Sequence, residues 1–313
     1  MCCLFGLIDC QRRLSARQKN RMLSILAAAC EARGTDATGI AYNSGGKLRI
    51  YKRPVPGHQM RFRVPQDAAV IMGHTRMTTQ GSPGKNFNNH PFPGHTAAGD
   101  FALAHHGVLY NDQLLRRTLG LPHTRIETDS YIGVQLIEQK KALDFASLRD
   151  MAEQVEGSFT FTVLDAQDDL FIVKGNNPMC LCALPNQGIL LYASTKDILQ
   201  KAVRQMQLPR KSLRQIGLDC GDILRISPDG TMTRSAFDDS GLTMGWYPNA
   251  WISTGSVGTY RGCSPFEEET DPYLEDLKTV AASFGYSADA IDRLISMGFM
   301  PEELEEFIYC GEL

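Results

Sequence analysis

The chain has 313 residues, a net charge of -3 and 43% hydrophobic content, enough for one large domain with an appendage or for two domains. That charge gives no electrostatic reason to expect a nucleic-acid partner, since the densest cationic cluster, Lys201 to Arg214, is broken by Gln, Leu and Pro. The longest apolar runs, such as Leu23 to Cys30 and Ala68 to Met72, fall well short of the roughly 20 residues of a membrane span. Asp9 and Arg12 close the N-terminal apolar stretch too early for a secretory signal, so the expected compartment is the cytoplasm. The cysteine count is 9, an odd number scattered without a C-x-x-C pair. Neither a disulfide framework nor a metal site is expected from that spacing, and most of these thiols read as buried small hydrophobes.

Residues 3–8 read as a strand, and Ser15 is placed as the N-cap of a helix running to about Arg33, with Met22, Leu23, Leu26, Ala29 and Cys30 on one face. Strands 39–42 and 48–52 around Gly45-Gly46 form a hairpin signal. The apolar stretch 68–73 reads as a buried strand that delivers the chain into His74-Thr75-Arg76. Between Thr78 and Asp100 the composition turns to Gly, Pro, Asn and His without a period. So long an irregular segment inside a domain is usually functional or disordered.

A strand over 101–108 follows and ends at Tyr110-Asn111. Asp129 is placed as the cap of a helix through 136–140, and a second helix covers 145–155. Four short strands (159–164, 170–174, 180–184, 189–193), a helix over 195–203 and a strand pair, 222–226 and 231–235, complete this region. Antiparallel strands with peripheral helices imply a layered α+β domain over residues 1–237. From Asp238, a stretch rich in Gly, Ser and Tyr with Trp246 and Trp251 leads to Glu267-Glu268-Glu269. Residues 238–272 read as a linker or wrapping arm, and 273–313 as a small helical C-terminal appendage. Its helices, 289–297 and 301–308, flank Met297-Gly298-Phe299, a turn similar to that of a ubiquitin-associated helical pair. A helical cap on the main domain is the simpler reading.

The chemistry concentrates at Cys2. Once Met1 is removed, a thiol and a free α-amine share one residue, and the amine (pKa about 7.7–8.0) can take the proton of a thiol (about 8.5) directly or through water. The plainer reading of Met1 to Gly6 is a buried first strand. Amide hydrolysis by a thiol also needs oxyanion donors and groups that hold the unreactive end of the substrate. Arg76, at a strand end, suits a bidentate grip on a carboxylate, although a lone Arg is more often a surface ion-pair partner. Gly107 either presents a backbone N–H to an oxyanion or marks a bulge. Asp129 can pair with an ammonium and cap its helix at the same time.

Taken in order, Cys2-Cys3-Leu4-Phe5-Gly6, Arg33-Gly34-Thr35-Asp36-Ala37-Thr38-Gly39, His74 to Gly81, Asn89-His90-Pro91, His105-His106-Gly107 with Asn111, and Thr128-Asp129-Ser130 resemble the class II glutamine amidotransferase domain of the N-terminal-nucleophile hydrolases. Gly157-Ser158-Phe159 and Ala193-Ser194-Thr195 are similar to later strand ends of that family. The resemblance implies a four-layer αββα sandwich of two antiparallel sheets, glutamine as substrate, no cofactor, and a separate ammonia-acceptor enzyme. By that resemblance Cys2 is the nucleophile, forming a γ-glutamyl thioester and releasing ammonia. Arg76 holds the substrate α-carboxylate with a hydrogen bond from Thr79, Asp129 holds its α-ammonium, Gly107 N–H is one oxyanion donor, and Arg33 supports the nucleophile's loop.

Two positions depart from the family pattern. The family's His-Asn-Gly motif supplies a second oxyanion donor from Asn, where this chain has His106, an imidazole whose donation depends on pH. Loss of one oxyanion donor costs about 10²–10³ in rate. Cys3 stands where the family commonly has Gly, placing a second thiol beside the first. Two other functions fit the sequence: hydrolysis of another γ-glutamyl or N-acyl substrate, and a catalytically weak scaffold whose aromatic arm and C-terminal helices bind a partner protein.

Overall fold

The computed structural model describes residues 2–208, 212–242 and 286–297, together with Leu277, Lys278, Ala281 and Leu304. Two antiparallel sheets lie between layers of helix, as the layered α+β expectation requires. The first has the order β11-β9-β10-β1-β4-β2-β3, built from β1 (Cys3–Asp9), β2 (Ala37–Ser44), β3 (Lys47–Arg53), β4 (Val70–Arg76), β9 (Cys180–Leu184), β10 (Ile189–Ala193) and β11 (Arg214–Ile216). The second has the order β13-β12-β8-β7-β6-β5, from β5 (Phe92–Thr96), β6 (Gly99–Leu109), β7 (Gly157–Leu164), β8 (Leu170–Lys174), β12 (Asp222–Ile226) and β13 (Met232–Ala236).

Three apolar layers follow from strand alternation. On the outer face of the first sheet, Phe5, Leu7, Ile71 and Leu191 pack with helices α1 (Ala16–Ala29) and α5 (Lys196–Met206). On the outer face of the second, Leu103, Phe159 and Phe161 pack with α3 (Tyr131–Lys140) and α4 (Phe145–Gln154). Leu4, Ile8 and Met72 meet Ala102, Ala104 and Ile172 between the sheets. With both faces covered, β1 and β4 are buried along their whole length, which is why 3–8 and 68–73 read as hydrophobic runs. The edge strand β3 alternates exposed and half-buried residues instead.

Ser15 caps α1 in a full capping box with Gln18. The segment 78–100 is less irregular than its composition suggests, because it ends in β5. Pro93 and Gly94 hide that strand from a sequence reading, yet β5 is the edge of its sheet, where a proline's missing N–H is tolerated. Helix α2 (Asp112–Thr118) and β11 are further short elements that the sequence reading passes over. Asp129 does not cap α3: the cap position is Ser130, without a side-chain cap bond. The Asp129 carboxylate turns back instead to accept the backbone N–H of Leu109 at 2.7 Å.

The chain divides into units 1–266 and 267–313. In the second, Ala288–Met297 forms a helix, and Leu277, Ala281, Ile291 and Leu304 make a small core. The aromatic arm with Trp246 and Trp251, and nearly all of the helix expected at 301–308, lie outside the described residues. Among the described residues no helix is long and apolar enough to cross a membrane.

Candidate active site

The site is built where β1 begins, its neighbour β4 ends and β2, on the far side of β4, starts. Register places Cys3 opposite Thr75 and Ala37 opposite Arg76, so the first residues of β1 lie beside the last of β4. The start of β1 is further pinned by Ser194: Leu4 N–H donates to its Oγ at 2.8 Å, and Ser194 N–H donates to Leu4 O at 3.0 Å. Asp36, from the loop after α1, accepts the N–H of Thr78 at 2.7 Å and so ties the segment after β4 to that loop. A Cβ on Gly34 would come within 2.5 Å of the Arg76 backbone. Only glycine permits this approach.

Cys2 is half-buried and its thiol donates to Met77 O at 3.4 Å. Burial pushes the thiol up to about 11, against lowering by the Met77 hydrogen bond and the Arg76 guanidinium, with Asp129 raising it further. Little thiolate therefore exists at neutral pH, and a proton acceptor is needed for nucleophilic attack. Cys3 is fully buried with its thiol at 3.4 Å from Leu4 O, so the two thiols differ sharply in access.

Arg33 joins the two sheets at this point. Its Nε donates to Cys2 O at 3.3 Å, and its Nη2 lies 3.0 Å from His106 Nε2. A guanidinium has donors only, so Nε2 must accept, and the proton of a neutral His106 sits on Nδ1. Burial, reinforced by the adjacent Arg33, holds His106 well below the usual imidazole range. Of the charge states that the sequence leaves open for His106, this favours the neutral imidazole, in one tautomer. Its buried Nδ1 has no hydrogen-bond partner. Asn177 Nδ2 donates to His106 O at 2.8 Å and braces the strand.

Gly107 has φ +147, and a Cβ there would meet Ser158 O at 1.8 Å. Arg76 is buried at the end of β4, where Nη1 donates to Asn89 Oδ1 at 2.7 Å and Nη2 to Gly81 O at 3.0 Å and to Gln80 O. Asp129 is buried as well, and Ser130 Oγ links it to His105 through a 2.8 Å contact with Nδ1. Asn88 and Glu127 exchange hydrogen bonds at 2.8 and 3.0 Å, which draws the segment carrying Asp129 towards the one after β4. Cys2, Arg33, Arg76, His106 and Asp129 are thereby gathered at one end of the sandwich. Thr79 is exposed in the loop after β4, and its side chain makes no hydrogen bond among the described residues.

Sequence reasoning passes over Asn177, whose Gly175-Asn176-Asn177-Pro178 context signals only a turn. It also misses the clustering of four buried histidines. His74 and His90 stand with rings 4.1 Å apart, His74 Nε2 lies 3.0 Å from His105 O, and neither ring nitrogen of His90 has a partner. Burial lowers His74 to about 3 and His90 well below the usual range. Among the described residues no group of three His, Cys, Asp or Glu is placed to hold a metal ion.

Two antiparallel sheets sandwiched by helices, with a cysteine heading a central strand, define the N-terminal-nucleophile hydrolase type of fold. Residues 74–201 match the family described as "Glutamine amidotransferase domain". The glutamine–fructose-6-phosphate aminotransferase of Bacillus cereus is 27% identical over 231 residues, 70% of this chain and 38% of that protein. The same-named enzyme of Geobacillus kaustophilus is 31% identical over 181 residues, 56% of this chain and 30% of that protein. Glutamine phosphoribosylpyrophosphate amidotransferase from B. subtilis, solved with ADP and GMP, superposes with a TM-score of 0.59 at 18% identity, over 75% of this chain and 49% of that one. The chain is thus similar, over these residues, to glutamine amidotransferase domains, on a fold of the N-terminal-nucleophile type. It spans less than two fifths of the length of the aminotransferase it matches.

Proposed function

We propose that this domain hydrolyses the side-chain amide of glutamine through Cys2, set free as the first residue by removal of Met1. The α-amine takes the thiol proton, and sulfur attacks the amide carbon. The tetrahedral oxyanion is met by Gly107 N–H and by Nδ1–H of His106, in place of the family's Asn. Collapse expels ammonia, the amine returning the proton, and leaves a γ-glutamyl thioester that water hydrolyses to glutamate. Arg76 and Thr79 receive the α-carboxylate and Asp129 the α-ammonium. The ammonia passes to an acceptor enzyme or domain outside the matched region, whose substrate the relatives' names do not transfer to this chain. The described cysteines are all free, in keeping with the reducing cytoplasm.

The observation that carries this reading is Arg33 bridging Cys2 O and His106 Nε2, which ties the thiol's residue to an imidazole with one fixed, unspent donor. The experiment is intact-mass analysis of the N-terminus with and without a glutamine-analogue electrophile, beside a glutamine-dependent ammonia assay. Loss of Met1, a single adduct at Cys2, and ammonia release that vanishes in Cys2→Ala are expected; full activity in Cys2→Ala sinks the proposal. One observation favours a second reading, hydrolysis of a γ-glutamyl or N-acyl substrate without an α-carboxylate: Arg76 already donates to Asn89, Gln80 and Gly81. Under it, Arg76→Ala spares turnover.

A further inference from the structure

On the outer face of the first sheet, away from Cys2, a cavity of about 660 Å³ opens between β2, β3 and the segment 55–63. Its volume falls in the range of small-molecule sites, about 300–1,000 Å³. Arg53, Arg61 and Arg63 line it together with Tyr42 and Tyr51, over a floor that includes the buried Met60. The alternation of β3 puts Arg53 and Tyr51 two residues apart on one face, with Arg49 next along it. Arg61 and Arg63 come from the loop beyond, again two apart.

None of Arg53, Arg61 and Arg63 has a side-chain hydrogen bond or ion pair among the described residues. The acidic groups closest in sequence are committed elsewhere: Asp67 accepts from Ser44 Oγ at 2.9 Å and from Gly45 N–H at 3.1 Å, and Asp36 accepts from Thr78 N–H at 2.7 Å; Glu31, further off, is held by His58. Three guanidinium groups facing one concavity repel one another, yet this chain bears a net charge of -3. The planar fork of Arg matches phosphate oxygens in pairs, and tyrosine faces take a flat ring.

We infer that this cavity binds a small phosphorylated molecule, its phosphate held by Arg53, Arg61 and Arg63 and its ring resting against Tyr51 and Tyr42. The site is separate from the glutamine-hydrolysing centre and stands whether or not that centre works as proposed. A nucleotide and a sugar phosphate share this chemistry, and the probes separate them.

The test is calorimetric titration of the full chain with ADP, glucose 6-phosphate and inorganic pyrophosphate, at two salt concentrations. The comparison is Arg61→Gln/Arg63→Gln, with Arg53→Gln as a second variant and a melting curve for each. At least one ring-bearing probe is expected to bind more tightly than pyrophosphate. That binding should weaken with salt, and by about tenfold or more in the double variant, while glutamine turnover stays unchanged. Tighter ADP assigns a nucleotide and tighter glucose 6-phosphate a sugar phosphate. Binding of none of the three, affinity untouched by either variant, or binding confined to a long polyanion such as heparin overturns the inference.

Discussion

The two faces of the β2–β3 hairpin use positive charge in opposite ways. Near the nucleophile every cation is committed before any substrate arrives. Arg33 is bound to Cys2 O and His106, Arg76 to Asn89 and to loop carbonyls, and Lys52 to the carbonyls of Asn89 and Pro91. On the outer face, Arg53, Arg61 and Arg63 line a cavity and have no side-chain partner among the described residues. The first arrangement fixes positions, which is what the proposed oxyanion donors would require of their surroundings. The second holds charge in reserve, and its energy is released only against an anion from outside.

The largest effect expected at the nucleophile end comes from acid. His74, His90 and His106 are all held neutral, chiefly by burial, and His74 only reaches its midpoint at about 3. In the unfolded chain each titrates near 6.5. Lowered folded values mean that stability is complete above about pH 6.5 and is lost as pH falls towards the folded values. At pH 5 each histidine costs up to about 2 kcal/mol, so three together approach the whole 5–15 kcal/mol of a typical domain. Urea denaturation at pH 7.5 and pH 5.0 should show the midpoint falling steeply; an unchanged midpoint means that these rings are not buried neutral.

Next in size is Gly107→Ala. The added methyl would meet Ser158 O at 1.8 Å in a backbone conformation that suits only glycine. Turnover should drop about 10²-fold or more through displacement of the N–H donor. Near-parental kcat in a folded variant removes Gly107 from the oxyanion site.

A smaller change separates the two accounts of His106. His106→Asn installs the amide that the family has here, and kcat should stay within about tenfold, whereas His106→Ala falls by about 10²–10³. Long-range nitrogen–proton NMR of the parent should show the Nδ1–H tautomer at neutral pH, and should lose that preference in Arg33→Met. An Nε2–H ring in the parent breaks the link between Arg33 and the oxyanion.

How much of this is legible in the chain depends on distance along it. The Ser15 cap, the Gly45-Gly46 hairpin and the apolar β1 and β4 are local signals, and each element lies where its residues indicate. The order of the short motifs identifies the fold and brings Cys2, Arg76 and Asp129 into view. The Arg33–His106 contact spans 73 residues with no period to announce it. Asp129 looks like a cap because an acidic residue before an apolar run is the usual cap signal. Its carboxylate serves Leu109 instead, because β6 leaves that N–H unpaired at the strand's last residue. The basic cavity is also invisible as a sequence block, since Tyr51 and Lys52 interrupt the arginines and only strand alternation puts Arg49 and Arg53 on one face.

The smallest expected effect bears on the outer cavity and decides whether the contrast between the two faces is real. Arg61 and Arg63 are exposed and without side-chain partners among the described residues, so no described contact is lost when their charge is removed. Arg61→Gln/Arg63→Gln should therefore melt within about 0.5 kcal/mol of the parent, or slightly above it as like charges are relieved. The buried Arg76 sets the standard for comparison. Arg76→Gln orphans Asn89 Oδ1 and the loop carbonyls, and each buried group left unpaired costs about 1–3 kcal/mol. A double variant that loses as much as Arg76→Gln would show that the outer arginines serve the fold. Their charge would then already be spent, and the two faces of the hairpin would be alike.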